Sequence, residues 1–191
     1  MKPPPASFFA SDALACSRAL IGAELAFGAC AGEIVETEAY LGEGDPACHT
    51  FVRAKARAFV AENPVGTAYV YLNYGVHYLL NFLTGPAAVH GFVLIRALRP
   101  TSGLPTMVRR RKRRHPRELC SGPGKLTAAL GIDGRHHATD LLTHPKFRLR
   151  LPEAPAAVLS DGRIGISRAT ELPYRFTHAG RQEWISRPVK R

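Results

Sequence analysis

The chain has 191 residues, with 26 Lys and Arg against 15 Asp and Glu, a formal net charge of +11 and a hydrophobic fraction of 46%. These values exclude a disordered chain and suit one domain, residues 1–191, with a substantial core. No apolar run is long enough to span a bilayer, the start MKPPPASFFASDAL has no apolar stretch of signal-peptide length, and the four cysteines (Cys16, Cys30, Cys48, Cys120) form no C-x-x-C pair. The expectation is a protein of the cytoplasm, or of the nucleus if the host has one, with reduced thiols and no structural zinc.

Residues 1–7 read as a mobile leader. SDALACSRALIG (11–22) has helical apolar spacing, with Ser11 or Asp12 as cap and Gly22 as stop. Residues 33–41 are rich in β-branched residues and end at Gly42, which predicts a strand with Glu36, Glu38 and Tyr40 on one face. Residues 43–66 are less regular, with a short helix around 52–61. Residues 67–85 hold two β-rich runs around Asn73-Tyr74-Gly75 and predict a hairpin. GFVLIRAL (91–98) predicts a buried strand whose one charge is Arg96. Residues 101–118 predict a helix around the arginine run, bounded by Pro105 and Pro116. LCSGPGKLTAAL (119–130) reads as a Gly-Pro loop opening onto a helix, and 145–176 as further short strands. The fold class is α+β, with antiparallel strands in a single mixed domain.

The charge is unevenly spread. Glu33, Glu36, Glu38, Glu43 and Asp45 are five of the 15 acids, yet fall within one short segment. From Asn63 to Arg117 there is no acid, while Arg109 to Arg114 is an unbroken run of cations. Such clustering predicts a polyanionic partner, nucleic acid first and an anionic membrane second. Glu38 lies late in an apolar strand and needs a buried partner, for which Arg96 is the natural candidate. That pair reads equally as a buried ion pair or as a general base held ionised. The remaining acids read as surface carboxylates or local ion pairs. Tyr74, at a turn that favours small polar residues, is either folded back or an exposed wedge able to open a base step. Ser121, Gly122 and Lys125 could hold a phosphate where the loop enters its helix, although the spacing is not that of a nucleotide-binding loop.

Together VETEAYLG (35–42), D-P-A-x-H (45–49), YVYLNYGVHYLLN (69–81), VLIRAL (93–98) and ELCSGPGKL (118–126) resemble the alkyladenine (3-methyladenine, or methylpurine) DNA glycosylase family. The resemblance runs in order through nearly the whole chain. It implies a compact domain with a curved antiparallel sheet, flanking short helices and a protruding hairpin that inserts into DNA. The implied partner is double-stranded DNA containing damaged purines, met by a monomer without metal or redox cofactor. By the resemblance Glu38 is the general base and Arg96 helps to hold the attacking water. Tyr40, His49 and Tyr71 wall the flipped base, and Ala47 meets it through its backbone. Asn81 screens against guanine, Tyr74 fills the gap left in the duplex, and Arg57, Ser121, Gly122 and Lys125 meet the DNA backbone. The implied product is an abasic site, since no lysine is placed for a Schiff base.

One segment departs from the family pattern. An Arg-Asn pair followed by Met-Phe is expected between the histidine and the hairpin. Here Arg57-Ala58-Phe59-Val60-Ala61-Glu62 keeps only the arginine and adds an acid. The departure predicts altered DNA contacts and a narrower lesion range. Two other classes compete: a non-catalytic nucleic-acid-binding module, and a carbohydrate hydrolase with paired carboxylates. The second is disfavoured by the basic charge and by the lack of a second carboxylate in a comparable setting.

Overall fold

The chain enters through a 3₁₀ turn (Phe8–Ala10) and helix α1 (Ala13–Ala19), whose cap Asp12 accepts the Ala15 N–H at 2.9 Å. Then come strands β1 (Glu24–Phe27) and β2 (Cys30–Tyr40), helices α2 (His49–Val52) and α3 (Ala54–Glu62), and strands β3 (Ala68–Asn73), β4 (His77–Thr84) and β5 (Gly91–Ser102). Helices α4 (Leu104–Arg111), α5 (Pro116–Leu119) and α6 (Pro123–Leu130) precede strands β6 (Phe147–Arg150), β7 (Val158–Asp161) and β8 (Arg175–His178). The computed structural model describes residues 2–5, 7–86, 89–140 and 142–189. The leader expected over 1–7 therefore lies outside the described residues at 1 and 6. Within it, Lys2 exchanges both backbone hydrogen bonds with Leu151, at 3.2 and 2.7 Å. Among the described residues no helix is long and apolar enough to cross a membrane.

The strands form one antiparallel sheet in the order β3-β4-β5-β2-β1-β6. β2 is long enough to serve two partners along one edge: β1 takes Cys30 to Glu33, and β8 takes Glu36 to Glu38. This sharing curls the sheet, and three register shifts on its other edge, two of them around Val35 and Arg96, add to the curl. Ile34 pairs with Leu98 and Glu36 with Ala97, so Val35 is an extra residue in β2. Thr37 then pairs with Ile95, which makes Arg96 an extra residue in β5.

Both faces of β2 are covered, which is why nearly every residue in it is buried. The main core holds Phe9, Leu20, Ile34, Phe82, Ile95, Leu98 and Phe176, with Met107 of α4 and Leu126 and Leu130 of α6. Each such side chain stabilises the fold by roughly 1.5–3 kcal/mol through burial. A second cluster of Cys48, Phe59, Tyr69, Leu83 and Phe92 lies where α3 meets β3 and β4. A third, Val35, Ala97 and Ile185, fastens the C-terminal segment across the bulged part of the sheet. All four cysteines are free and buried, as expected for reduced thiols.

The helix expected around the arginine run is split. Pro105 lies in the first turn of α4 rather than before it, where a missing N–H costs nothing, and the helix stops at Lys112 in a left-handed conformation (φ 52°). Arg110 donates to the carbonyls of Ala129 and Leu130 (2.9 and 2.7 Å), and Arg111 donates to that of Leu119 (3.2 Å). Two cations of the run are thus ties between helices.

Candidate active site

Strand alternation puts Glu36, Glu38 and Tyr40 on one face of β2, and the bulge at Arg96 aims its side chain at the same face. Arg96 Nε donates to Glu36 Oε1 and Nη1 to Glu38 Oε2, both at 3.2 Å. The Tyr40 hydroxyl donates to Glu38 Oε2 at 2.8 Å, and the Ile164 N–H donates to Oε1 at 2.7 Å. Glu38 is 0% exposed. Burial pushes its carboxyl above the ordinary range, against the pull of Arg96, the Ile164 N–H and the Tyr40 hydroxyl. Burial and the Glu38 charge likewise raise Tyr40, which keeps the phenol protonated and donating. An ionised carboxylate offers about four lone-pair directions; these three donors leave one, on Oε1.

A cavity of about 430 Å³ opens above this carboxylate. Its lining includes Tyr40, Arg96 and Ile164, the three partners of Glu38, and also Ala47, His49, Tyr71, Tyr74 and Asn81. Every residue expected to hold a base therefore borders one space, and Glu38 sits directly behind it. His49 Nδ1 is 3.1 Å from the Tyr69 hydroxyl, and its ring lies 4.6 Å from that of Tyr71. Burial, helped by the charge of Arg53, lowers His49 to about 4, so the imidazole is neutral at physiological pH. Asn81 is buried and donates to the Tyr69 carbonyl at 3.1 Å. Behind the wall, Tyr69 stacks on Phe92 (4.6 Å) and meets Phe59 (5.0 Å). Phe59 falls within the departing segment, where it fills the core; Glu62 is exposed at the end of α3. Among the described residues no group of three or more His, Cys, Asp or Glu side chains is placed to hold a metal.

Tyr74 caps the β3–β4 connection at the cavity edge and is 85% exposed. It and Gly75 take φ of 49° and 70°. Gly75 accepts that region freely, whereas a bulky residue is strained in it by roughly 1–3 kcal/mol. Leu72 and Val76 beside it are also exposed. Pro123, the first residue of α6, borders the cavity, and Gly124 packs on His77 of β4. Ser121, Gly122 and Lys125 adjoin Pro123 in the chain but do not line the cavity; Lys125 Nζ is 3.2 Å from Ser121 Oγ. Arg57 does not join them. It donates to the Thr50 carbonyl at 2.9 Å and borders a separate hollow beside Glu43 and His90.

The reading of the other acids as surface groups fails at Glu36 and Asp45, which are both buried. Glu36 accepts from Arg96, from Arg175 Nε (2.7 Å), and from the Ser186 N–H and hydroxyl (2.6 and 2.8 Å). Asp45 is held by Arg163 through both carboxylate oxygens (2.5 and 2.8 Å). Two buried acids are tolerated because each faces a guanidinium far along the chain, a pairing that local sequence does not display. Glu33 is half-buried against Arg99 (2.6 Å) and Arg181 (3.3 Å), and Glu43 is exposed as expected. Arg53, Ile164 and Gly165 also line the cavity without any prior expectation.

The family described as "Methylpurine-DNA glycosylase" matches residues 7–182. A protein of Agrobacterium fabrum is 46% identical over 90% of this chain and 86% of its own length. One of Nitrosospira multiformis is 42% identical over 97% of this chain and 95% of its own. Both are described as "Putative 3-methyladenine DNA glycosylase". With the family matched across most of its length, the chain belongs to the methylpurine-DNA glycosylases, hydrolases of the N-glycosyl bond.

Proposed function

We propose that this glycosylase acts as a monomer on double-stranded DNA, flips a damaged purine into the cavity and releases it, leaving an abasic site for base excision repair. Its substrates are alkylated purines, 3-methyladenine and 7-methylguanine first. Deaminated and etheno purines are the extension that a lesion panel tests. The carrying observation is the Glu38 carboxylate, with one open lone pair, behind an aromatic cavity floored by its own three partners.

In this reading a nucleotide must leave the stack to reach the cavity, and Tyr74 occupies the gap. Its strained, exposed position on an otherwise paired β-ribbon supports that role. Tyr40, Tyr71 and neutral His49 present ring faces to a purine made electron-poor by alkylation, an attraction of roughly 1–2 kcal/mol when desolvated. Neutral His49 adds no repelling charge. Asn81, held by the Tyr69 carbonyl, crowds the exocyclic amino group of guanine, and Ala47 meets the base through its backbone. Glu38 takes a proton from a water that Arg96 helps to hold, and that water attacks C1′ as the glycosidic bond breaks. Among the described residues no lysine lines the cavity, which favours hydrolysis over a Schiff base. Ser121, Gly122 and Lys125 meet the DNA backbone, with Arg57 contributing from farther out.

The test is Glu38→Gln on duplex DNA. General-base loss should lower single-turnover release by about 10²–10⁴-fold while binding persists. Binding of lesion DNA by the wild type without release of any alkylated or deaminated purine would instead establish a binding module. Comparing 3-methyladenine, 7-methylguanine, hypoxanthine and ethenoadenine measures the range; efficient release of all four removes the narrow-range expectation.

A further inference from the structure

Glu38 is clamped by a loop that reaches it from more than a hundred residues away. The Ile164 N–H that grips Oε1 follows directly on Arg163, and Ile164, Gly165 and Ile166 form one side of the cavity. Arg163 is buried. Its Nη1 and Nη2 fork onto Asp45 (2.5 and 2.8 Å), and Nη1 also donates to the Ala39 carbonyl (2.9 Å). The guanidinium carbon lies 4.7 Å from the centroid of the Tyr40 ring and 5.3 Å from that of Tyr174. Asp45 in turn accepts the N–H groups of Leu41 and Ala47, both at 3.1 Å. One ion pair thus ties together the loop behind Glu38, the Tyr40 wall and the backbone at Ala47. Gly165, at φ 77°, lets the chain turn away immediately after the Ile164 N–H has met the carboxylate.

We propose that Asp45 and Arg163 are positioning residues for excision: their buried, bidentate pair holds the Ile164 N–H on Glu38 and the Tyr40 ring against the cavity. The inference rests on the glycosylase reading of the Glu38 site. A bidentate Arg–carboxylate pair supplies fixed orientation as well as attraction. Arg163 adds what a lysine would not, a planar cation set against two tyrosine rings.

Glu38 is faced by Arg96 of β5, by Glu36 and Tyr40 of β2, by Tyr71 of β3 and by Arg163. Arg163→Gln acts on it in one direction. It removes a cation, leaves the Asp45 charge uncompensated and frees the loop bearing the Ile164 N–H. All three disfavour the carboxylate, so the acid limb of excision must move to higher pH.

The experiment measures single-turnover base release from chemically methylated duplex DNA between pH 5 and 9, corrected for spontaneous loss. For Arg163→Gln the acid limb should rise by about half a pH unit or more. The plateau should fall roughly ten- to a hundred-fold as the reacting groups lose alignment, with affinity for undamaged duplex unchanged. If Arg163→Gln fails to fold, Asp45→Asn/Arg163→Gln removes both charges together, and a smaller upward shift, from the freed Ile164 N–H, is expected. A purely structural pair would lower the active fraction and leave the limb in place, and that result overturns the proposal. Release of no base by the wild type sinks the glycosylase reading and this inference with it. Wild-type release with an unmoved limb sinks this inference alone.

Discussion

Replacing Glu36 with Gln keeps the side-chain volume and removes a charge from a site sealed from water. Glu36 collects four donors between 2.6 and 3.2 Å: Arg96 Nε, Arg175 Nε, and the N–H and hydroxyl of Ser186. The amide retains one acceptor oxygen; placed at Oε1 it keeps both guanidinium donors, but the Ser186 N–H at Oε2 then meets an NH₂ group, and the negative charge both guanidinium groups face is gone. Breaking a buried pair from one side costs about 3–5 kcal/mol, because a charge is left behind. Two features reduce that here. Arg96 keeps Glu38, and Arg175 keeps Asp161 at 3.2 Å. Relief of Glu36–Glu38 repulsion also offsets part of the loss, but it ranks behind burial and Arg96 among the influences on Glu38. The expected destabilisation is therefore near the lower end, about 3 kcal/mol. At about 2–4 °C per kcal/mol for a domain of this size, Tm should drop by about 6–12 °C. Urea unfolding at pH 7 should show a lower midpoint with an unchanged slope. A loss under about 1 kcal/mol, the range of an exposed pair, would refute the assignment of Glu36 as the hub of this network.

Tyr74→Asn puts a residue that tolerates the left-handed region at φ 49°; stability should hold or rise by under about 1 kcal/mol, while release from duplex falls more than release from single strands. Equal losses on both substrates would remove the wedge. His49, lowered to about 4 in the fold from an ordinary 6.5, contributes stability that is fully present above pH 6.5 and lost as the pH falls through about 4. His49→Gln should flatten the pH dependence of stability in that window, and an unchanged slope would show that the group is not held neutral. Phe59→Ala should cost about 3–5 kcal/mol and loosen the Tyr69 wall, read as a lower urea midpoint together with weaker retention of the released base. Lys125→Ala should reduce the salt slope of duplex binding by about one without changing lesion preference; an unaltered slope would place the DNA elsewhere.

The fold and site were unequally legible in the sequence. Where a feature is local, the residues announced it. Asp12 caps α1, Gly75 marks the β3–β4 turn, and period-two alternation puts Glu38 beside Tyr40. The Glu38–Arg96 pairing was also within reach, since a buried acid and a buried base on two apolar strands have few other partners. The bulge at Arg96 was not, because an extra residue in β5 leaves no trace in composition. Nor were Arg163 and Arg175: both occupy a Pro- and Gly-punctuated region of weak periodicity, and both earn their roles through acids more than a hundred residues away. Glu36 and Asp45 were misassigned for the same reason. An acid in a basic chain reads as surface until its distant guanidinium is known.

The C-terminal segment has a consequence in time. Ser186, which gives Glu36 two of its donors, follows it by 150 positions, and Arg175, which gives another, follows it by 139. At about 5–20 residues per second of synthesis, Glu36 waits roughly seven to thirty seconds for its full set of partners. Until then Arg96 lacks the anchor on its far side, and the carboxylates behind the cavity belong to an unfinished floor. The segment that begins the chemistry in sequence order is completed last in order of synthesis. A nascent chain still lacking residues 175–187 would carry Glu38, Tyr40 and Arg96 without the geometry that joins them.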